Sequence, residues 1–203
     1  METTVEKTLR LEDCPNAPKL DPRVRRTRRL LEEAMRSLLS ERQYEEISVG
    51  DIAERATVNR ATFYAHFLDK RDLAATLIRE DLHQAMLSSL SPDLPLDGSS
   101  LTRLSTAIFK FMERTFSSCI KKSEEFGPVV GPTIQEGIES FLRNWLEMQP
   151  RGMRNFAGSK RDTVSMVLAW GIYGAAAEWS RAAHRPAAAK AAAEVVELLV
   201  RAS

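Results

Sequence analysis

The stretch from Ser48 to Phe67 constrains the fold more than any other part of the chain. Ser48 is a good helix N-cap, and Asp51 falls at the third helical position, where a carboxylate is favoured. Val49, Ile52, Ala53 and Ala56 recur at helical spacing and give this first short helix one apolar face. Thr57-Val58-Asn59 breaks the pattern, and Asn59 caps a second helix predicted to run through Phe67. Phe63 and Phe67 are four apart and point together into a core, while Arg60, Thr62, Tyr64 and His66 fall largely on the other side. A short helix held by two aromatics and presenting guanidinium, hydroxyl, phenol and imidazole groups suits insertion into a DNA major groove.

The same residues carry a resemblance. Ile52-Ala53-Glu54-Arg55-Ala56, the run from Thr57 to Phe67, and then Asp69-Lys70-Arg71-Asp72-Leu73 resemble the DNA-binding domain of TetR-type repressors. Thr57 replaces the family's usual Gly in the turn, Asn59 replaces Ser, and Ala61 replaces Gly. Asn59 keeps the capping chemistry and Ala61 keeps the small size. Thr57 is the departure with a physical consequence, because a β-branched residue disfavours the positive φ that Gly tolerates. The rest of the chain shares only length and helical texture with the family. The resemblance implies an N-terminal three-helix helix-turn-helix DNA-binding domain and a C-terminal helical ligand-binding and dimerisation domain.

At 203 residues the chain is long enough for a substantial core in one large or two small domains. Its net charge of +1 argues against indiscriminate nucleic-acid binding through gross charge. Residues 1–90 carry fifteen Lys and Arg against sixteen Asp and Glu, so a DNA footprint must come from local placement. The two cysteines, Cys14 and Cys119, lie far apart without metal-ligand spacing, which fits a reducing compartment. No apolar run reaches transmembrane length, and the polar N-terminus lacks a signal-peptide core, so a cytoplasmic protein with no membrane partner is expected.

Residues 1–22 hold Pro15, Pro18 and Pro22 with little periodicity and are expected to form a mobile tail. Lys19 to Arg29 then carries six basic residues against one acid. Such a run is either solvated or an arm touching phosphates through Arg25, Arg26 or Arg28, with salt-sensitive binding of little sequence information. Leu30, Leu31, Ala34, Met35, Leu38 and Leu39 predict an amphipathic helix over about 23–42, opening a DNA-binding domain over 23–70. Leu73, Leu77, Ile78, Leu82 and Met86 predict another from Lys70 to Leu87, in a second domain over 71–203. Ser88 to Ser100 reads as a connecting loop, and Gly127-Pro128 and Gly131-Pro132 as punctuating a short irregular piece. Further helices are predicted from Leu101 to about Lys122, Thr133 to Met148, about Lys160 to Ala183, and Pro186 to Arg201. No stretch alternates with period two, so the chain is expected to be all-α.

Gly171, Gly174, Ala175, Ala176 and Ala177 form a run of small side chains beside Trp170, Tyr173 and Trp179. Small residues let helix axes approach closely, either within one subunit or across a dimer. A short recognition helix makes few base contacts, so useful affinity needs two half-sites held at a fixed spacing. The resemblance places that homodimer contact in the last two helices, at Gly171, Gly174, Ala175, Trp179, Val196 and Leu199. It also implies a pocket for a small-molecule effector, with Phe109, Met112, Phe116, Trp145, Met148, Phe156 and Trp170 as candidate lining. These are either plain core or, as a group, a site for an apolar or aromatic effector.

Among the outward residues, Arg60 suits guanine O6/N7 and Thr62 suits a thymine methyl or a polar base edge. Asn59 caps or contacts DNA, and Ser48 can hydrogen-bond a phosphate from a helix N-terminus. Tyr64, His66 and Lys70 match positions that contact phosphate in the family. The expected partners are therefore double-stranded DNA, a small effector and a second copy of the chain. No enzyme is expected: His66, His83 and His184 are scattered, and no catalytic, metal or phosphate-loop signature appears, so no cofactor is implied. The function expected is a dimeric repressor of a palindromic operator released by its effector. The alternative is a helical adaptor of the same fold that works through protein contacts without reading DNA.

Overall fold

The computed structural model describes residues 21–90, 95, 97–115, 127–148 and 160–201. Among these residues every regular element is helical. Helix α1, Pro22–Glu41, begins where Asp21 accepts a hydrogen bond from the Arg23 N–H at 2.8 Å and Pro22 supplies a first-turn φ. Its buried stripe is Leu31, Ala34, Met35 and Leu38. A single 3-10 turn, Tyr44–Glu46, leads into α2, Val49–Arg55, and α3, Arg60–Tyr64. Helix α4, Lys70–Ser89, is capped by Asp69, whose carboxylate accepts from the Arg71 and Asp72 N–H groups at 2.7 and 2.9 Å.

The body follows with α5, Gly98–Thr115; α6, Gly127–Met148; α7, Arg161–Arg181; and α8, Ala188–Arg201. Helix α2 packs on α1 and α3, α1 also packs on α4, and α4 packs in turn on α5 and α6. Helix α7 lies against α6 and α5, and α8 against α5 and α7. One element thus belongs to both the N-terminal helical head and the body. Arg36 of α1 reaches Asp81 at 2.7 Å and Glu80 at 3.6 Å, both on α4, and His83 of α4 meets the Phe141 ring of α6 edge-on at 5.9 Å.

Three sequence expectations are corrected. The piece around Gly127 to Pro132 is part of α6, although Pro132 removes a helical N–H. Val130, Ile134 and Ile138 recur every four residues and are fully buried, so one continuous apolar stripe outweighs the lost hydrogen bond. The second short helix ends at Tyr64 rather than Phe67; Phe67 N–H still donates to Phe63 at 3.0 Å, within a closing turn. Pro186 precedes α8 instead of opening it, because its carbonyl is used to accept the Trp179 indole N–H at 2.9 Å. The predicted N-terminal tail up to residue 20 lies outside the described residues.

The turn between α2 and α3 is a helix C-cap with an unusual occupant. Val58 N–H donates to Ala53 O at 2.9 Å and Thr57 N–H to Glu54 O at 3.0 Å, the paired bonds of a Schellman motif. That motif requires left-handed backbone at Thr57, and its φ is 57°. The positive φ expected at Thr57 is therefore present, in a residue type that adopts it at a cost of about 1–2 kcal/mol. Thr57→Gly relieves this strain and returns part of the gain as unfolded-chain entropy, about 0.4–1 kcal/mol. The variant should raise stability by up to ~1 kcal/mol, read as a higher urea midpoint at unchanged m. A lowered midpoint would contradict this account of the turn.

Candidate nucleic-acid interface

The outward face of α3 is built from its cap and its buried side. Asn59 Oδ1 accepts from the Thr62 N–H at 2.7 Å and from the Thr62 hydroxyl at 2.9 Å, which fixes the first turn. This leaves the Asn59 amide nitrogen as a donor and the Thr62 methyl and oxygen lone pairs as its contact groups. Phe63 and Phe67 are buried, with ring centroids 5.9 Å apart, and Tyr64 meets Phe63 edge-on at 5.4 Å. Tyr64 is 58% exposed, so its phenol projects from a ring braced on the core. Arg60 is exposed, and Thr62 and His66 are half-buried.

Helix α2 meets the same surface through its N-terminus. Ser48 Oγ accepts from the Asp51 N–H at 3.2 Å, while the Ser48 N–H and hydroxyl donate to Asp51 Oδ2 at 2.8 and 2.6 Å. These bonds form the expected cap, and they hold the Asp51 carboxyl below its ordinary range. For Ser48 to donate to a phosphate, its hydroxyl must exchange the bond to Asp51. The Arg60 guanidinium lies beside Gly50: a Cβ there would stand 2.5 Å from Arg60 Nη2.

Two of the cations expected at phosphates are directed into the head. Arg28 stands over the Phe67 ring, 4.3 Å from its centroid, and donates to His66 O and Thr76 Oγ1, both at 3.4 Å. It also pairs with Glu32 at 3.3 Å. Lys70 Nζ donates to Tyr44 O at 3.1 Å and stands 4.4 Å from the Tyr44 ring centroid. Arg28 and Lys70 thus fasten α1 and α4 to the turn after α3 and to the 3-10 turn. Arg25 is exposed beside Arg26 and Arg29, on a groove shared with Glu32, Glu33, Glu80 and Asp81. That mixed lining makes the groove a poor phosphate track.

In the body, Phe109, Met112 and Trp145 are buried, with Phe109 5.3 Å from the Trp179 ring. Met148 and Trp170 do not join them, being 73% and 57% exposed. Met148 is the last residue of α6, beyond its buried stripe, and Trp170 lies between the buried rows of α7. Phe116 and Phe156 lie outside the described residues.

The small-residue run divides in the same way. A Cβ on Gly171 would stand 2.8 Å from Leu199 Cδ2 of the same chain, so this glycine closes α7 on α8 within the subunit. Trp179 and Val196 are buried in the subunit as well, and the Trp179 ring also carries Arg185 at 4.8 Å. These two side chains are largely covered within the subunit, Trp179 keeping 9% of its surface exposed. Gly174 has open space at its Cβ position, and Ala175 and Leu199 are half-buried. The exposed apolar groups of the two helices are Met166, Val167 and Trp170 on α7 and Leu198 on α8.

Among the described residues there is no cluster of His, Cys, Asp and Glu able to hold a metal ion, and no helix is long and apolar enough to cross a membrane. The geometry defines a helix-turn-helix head carried on a helical body. Residues 30–77 match the family described as bacterial regulatory proteins, tetR family. An uncharacterized HTH-type transcriptional regulator, YxbF of Bacillus subtilis, is 41% identical over 61 residues, 30% of this chain and 16% of that protein. The HTH-type transcriptional regulator EthR of Mycobacterium tuberculosis is 28% identical over 113 residues, 54% of this chain and 52% of EthR. The chain spans about half, or less, of the curated relatives it matches. The solved TetR family repressor AlkX of Dietzia superposes with a TM-score of 0.59 at 18% identity, over 91% of this chain and 96% of AlkX. The likeness to the TetR-type regulators is thus carried by the head of the chain, residues 30–77.

Arg28 should therefore behave as a structural cation. Arg28→Ala removes a cation–π contact worth about 0.5–2 kcal/mol together with weak hydrogen bonds. Urea denaturation should show a loss of about 1–2 kcal/mol. Unchanged stability with a shallower salt dependence of DNA binding would instead make Arg28 a phosphate contact.

Proposed function

We propose that the protein is a cytoplasmic, dimeric transcriptional repressor that reads a palindromic operator and is released by a small apolar or aromatic effector. The observation that carries this reading is the outward face of α3. Its capping by Asn59 and anchoring by Phe63 and Phe67 present Arg60, Thr62 and Tyr64 in a helix short enough to enter a major groove. The match of residues 30–77 to the tetR family supports the same reading. Ser48, Tyr64 and His66 are assigned to the backbone, where they fix register, and Arg60 and Thr62 to base edges.

One such helix reads only a few base pairs, so the affinity of a regulator requires a second head at fixed spacing. The exposed Met166, Val167, Trp170 and Leu198, with open Gly174 beside them, are the surface best suited to a second copy. Phe109 and Met112 of α5 and Trp145 of α6 are buried on helices that pack on α4, and an effector lodged among them would act on the head through that helix. Ligand and DNA would then weaken each other's binding by the same factor.

Equilibrium binding to DNA from upstream of the protein's own gene, and to random-sequence libraries, tests the reading. The expected result is a selected sequence bound about a thousandfold or more over scrambled DNA, with two protomers per site. A folded protein that selects no sequence would overturn it. Trp170→Asp should shift the protein to monomers in sedimentation and weaken operator binding while leaving the fold intact. An unchanged sedimentation coefficient would remove Trp170 from the interface.

A further inference from the structure

We infer that Gly50 is a specificity-determining position: its missing side chain sets where the Arg60 guanidinium lies when the head meets DNA. Gly50 is the second residue of α2, and its φ lies outside the left-handed region, so its backbone conformation does not call for glycine. Within a helix, glycine is the least favourable residue after proline. The space a side chain would fill is nevertheless taken. A Cβ at Gly50 would meet Arg60 Nη2 at 2.5 Å, Cζ at 3.2 Å and Nε at 3.2 Å. The guanidinium of the recognition helix therefore rests against the first turn of the helix before it.

Two further properties give this contact a consequence. Arg60 is exposed and makes no hydrogen bond or ion pair among the described residues, so its five donors remain unspent. By contrast Arg28, Arg36 and Arg55 are engaged by side chains or carbonyls of the head. The obstructed atoms are also the far end of a flexible side chain, so a methyl at position 50 moves Arg60 and leaves the fold in place. Recognition by a guanidinium depends on two parallel hydrogen bonds, and a displaced fork cannot keep both. Position 50, which itself offers no side chain, thereby decides what Arg60 can reach.

This inference rests on the proposed DNA reading, and its test separates the two. The full-length protein, Gly50→Ala, Arg60→Ala and the double variant are each titrated against a sequence selected by the wild type and all its single base-pair substitutions. Arg60→Ala should flatten discrimination at one or two adjacent base pairs by about tenfold. Gly50→Ala should lose about as much at the same base pairs, keep the other preferences, and add nothing in the Arg60→Ala background. Its melting temperature should equal or exceed that of the wild type. Unchanged preferences in Gly50→Ala, an undiminished effect in the double variant, uniform weakening of all sequences, or an unfolded head would each overturn the inference. A wild type that selects no sequence defeats the DNA reading itself; a selective wild type with uncoupled variants defeats only the role of Gly50.

Discussion

A five-residue helix closes too few hydrogen bonds to hold itself, since nucleation fixes several residues before propagation repays them. The position of α3 is therefore a tertiary matter, and it rests on Phe63 and Phe67. Both rings are buried, and each contributes about 1.5–3 kcal/mol by leaving water. With the inner side so committed, the outer side can be polar without loss of fold. Arg28 then covers Phe67 from α1 and donates to the His66 carbonyl, joining the first helix to the turn that follows the third. Lys70 does the same between α4 and the 3-10 turn. The head is a small core whose rim is tied by cations.

Those ties bear on how a head of nearly balanced charge would face DNA under the proposed function. Arg29, Arg36 and Arg55 pair with Glu33, Asp81 and Glu41, with N–O distances of 2.7 Å. Exposed pairs of this kind add little stability, but they neutralise cations away from the reading face. The charge that matters for recognition is then local to α3 rather than spread over the domain. Helix α4 gives the head its connection to the body, through Arg36 on one side and the His83–Phe141 contact on the other.

The parts of this structure legible in the sequence are those decided by neighbours in the chain. Ser48 and Asn59 cap the helices they were expected to cap, and the strain at Thr57 follows from turn chemistry alone. Where the outcome depends on distant partners, local signals mislead. Glycine and proline around residues 127–132 suggest a break, yet the buried row through Val130 and Ile134 overrides it. Trp170 is a candidate for pocket lining by residue type, whereas its place on α7 leaves it 57% exposed. For Arg28, in a charge run that could be solvated or touch phosphate, and for Lys70, a phosphate position by resemblance, the structure adds partners 38 and 26 residues away that no local signal announces. Gly50 carried one overlooked signal, a glycine in a helix without a backbone reason for it.

Hydroxyl-radical footprinting of the bound complex, on DNA selected by the protein, tests the central claim most directly. Two equivalent protected patches on one face of the duplex, related by a dyad and separated by about one helical turn or a multiple of it, are the predicted result. A single patch without a symmetric partner, or protection spread evenly along the DNA, would contradict the account of a paired head reading sequence through α3.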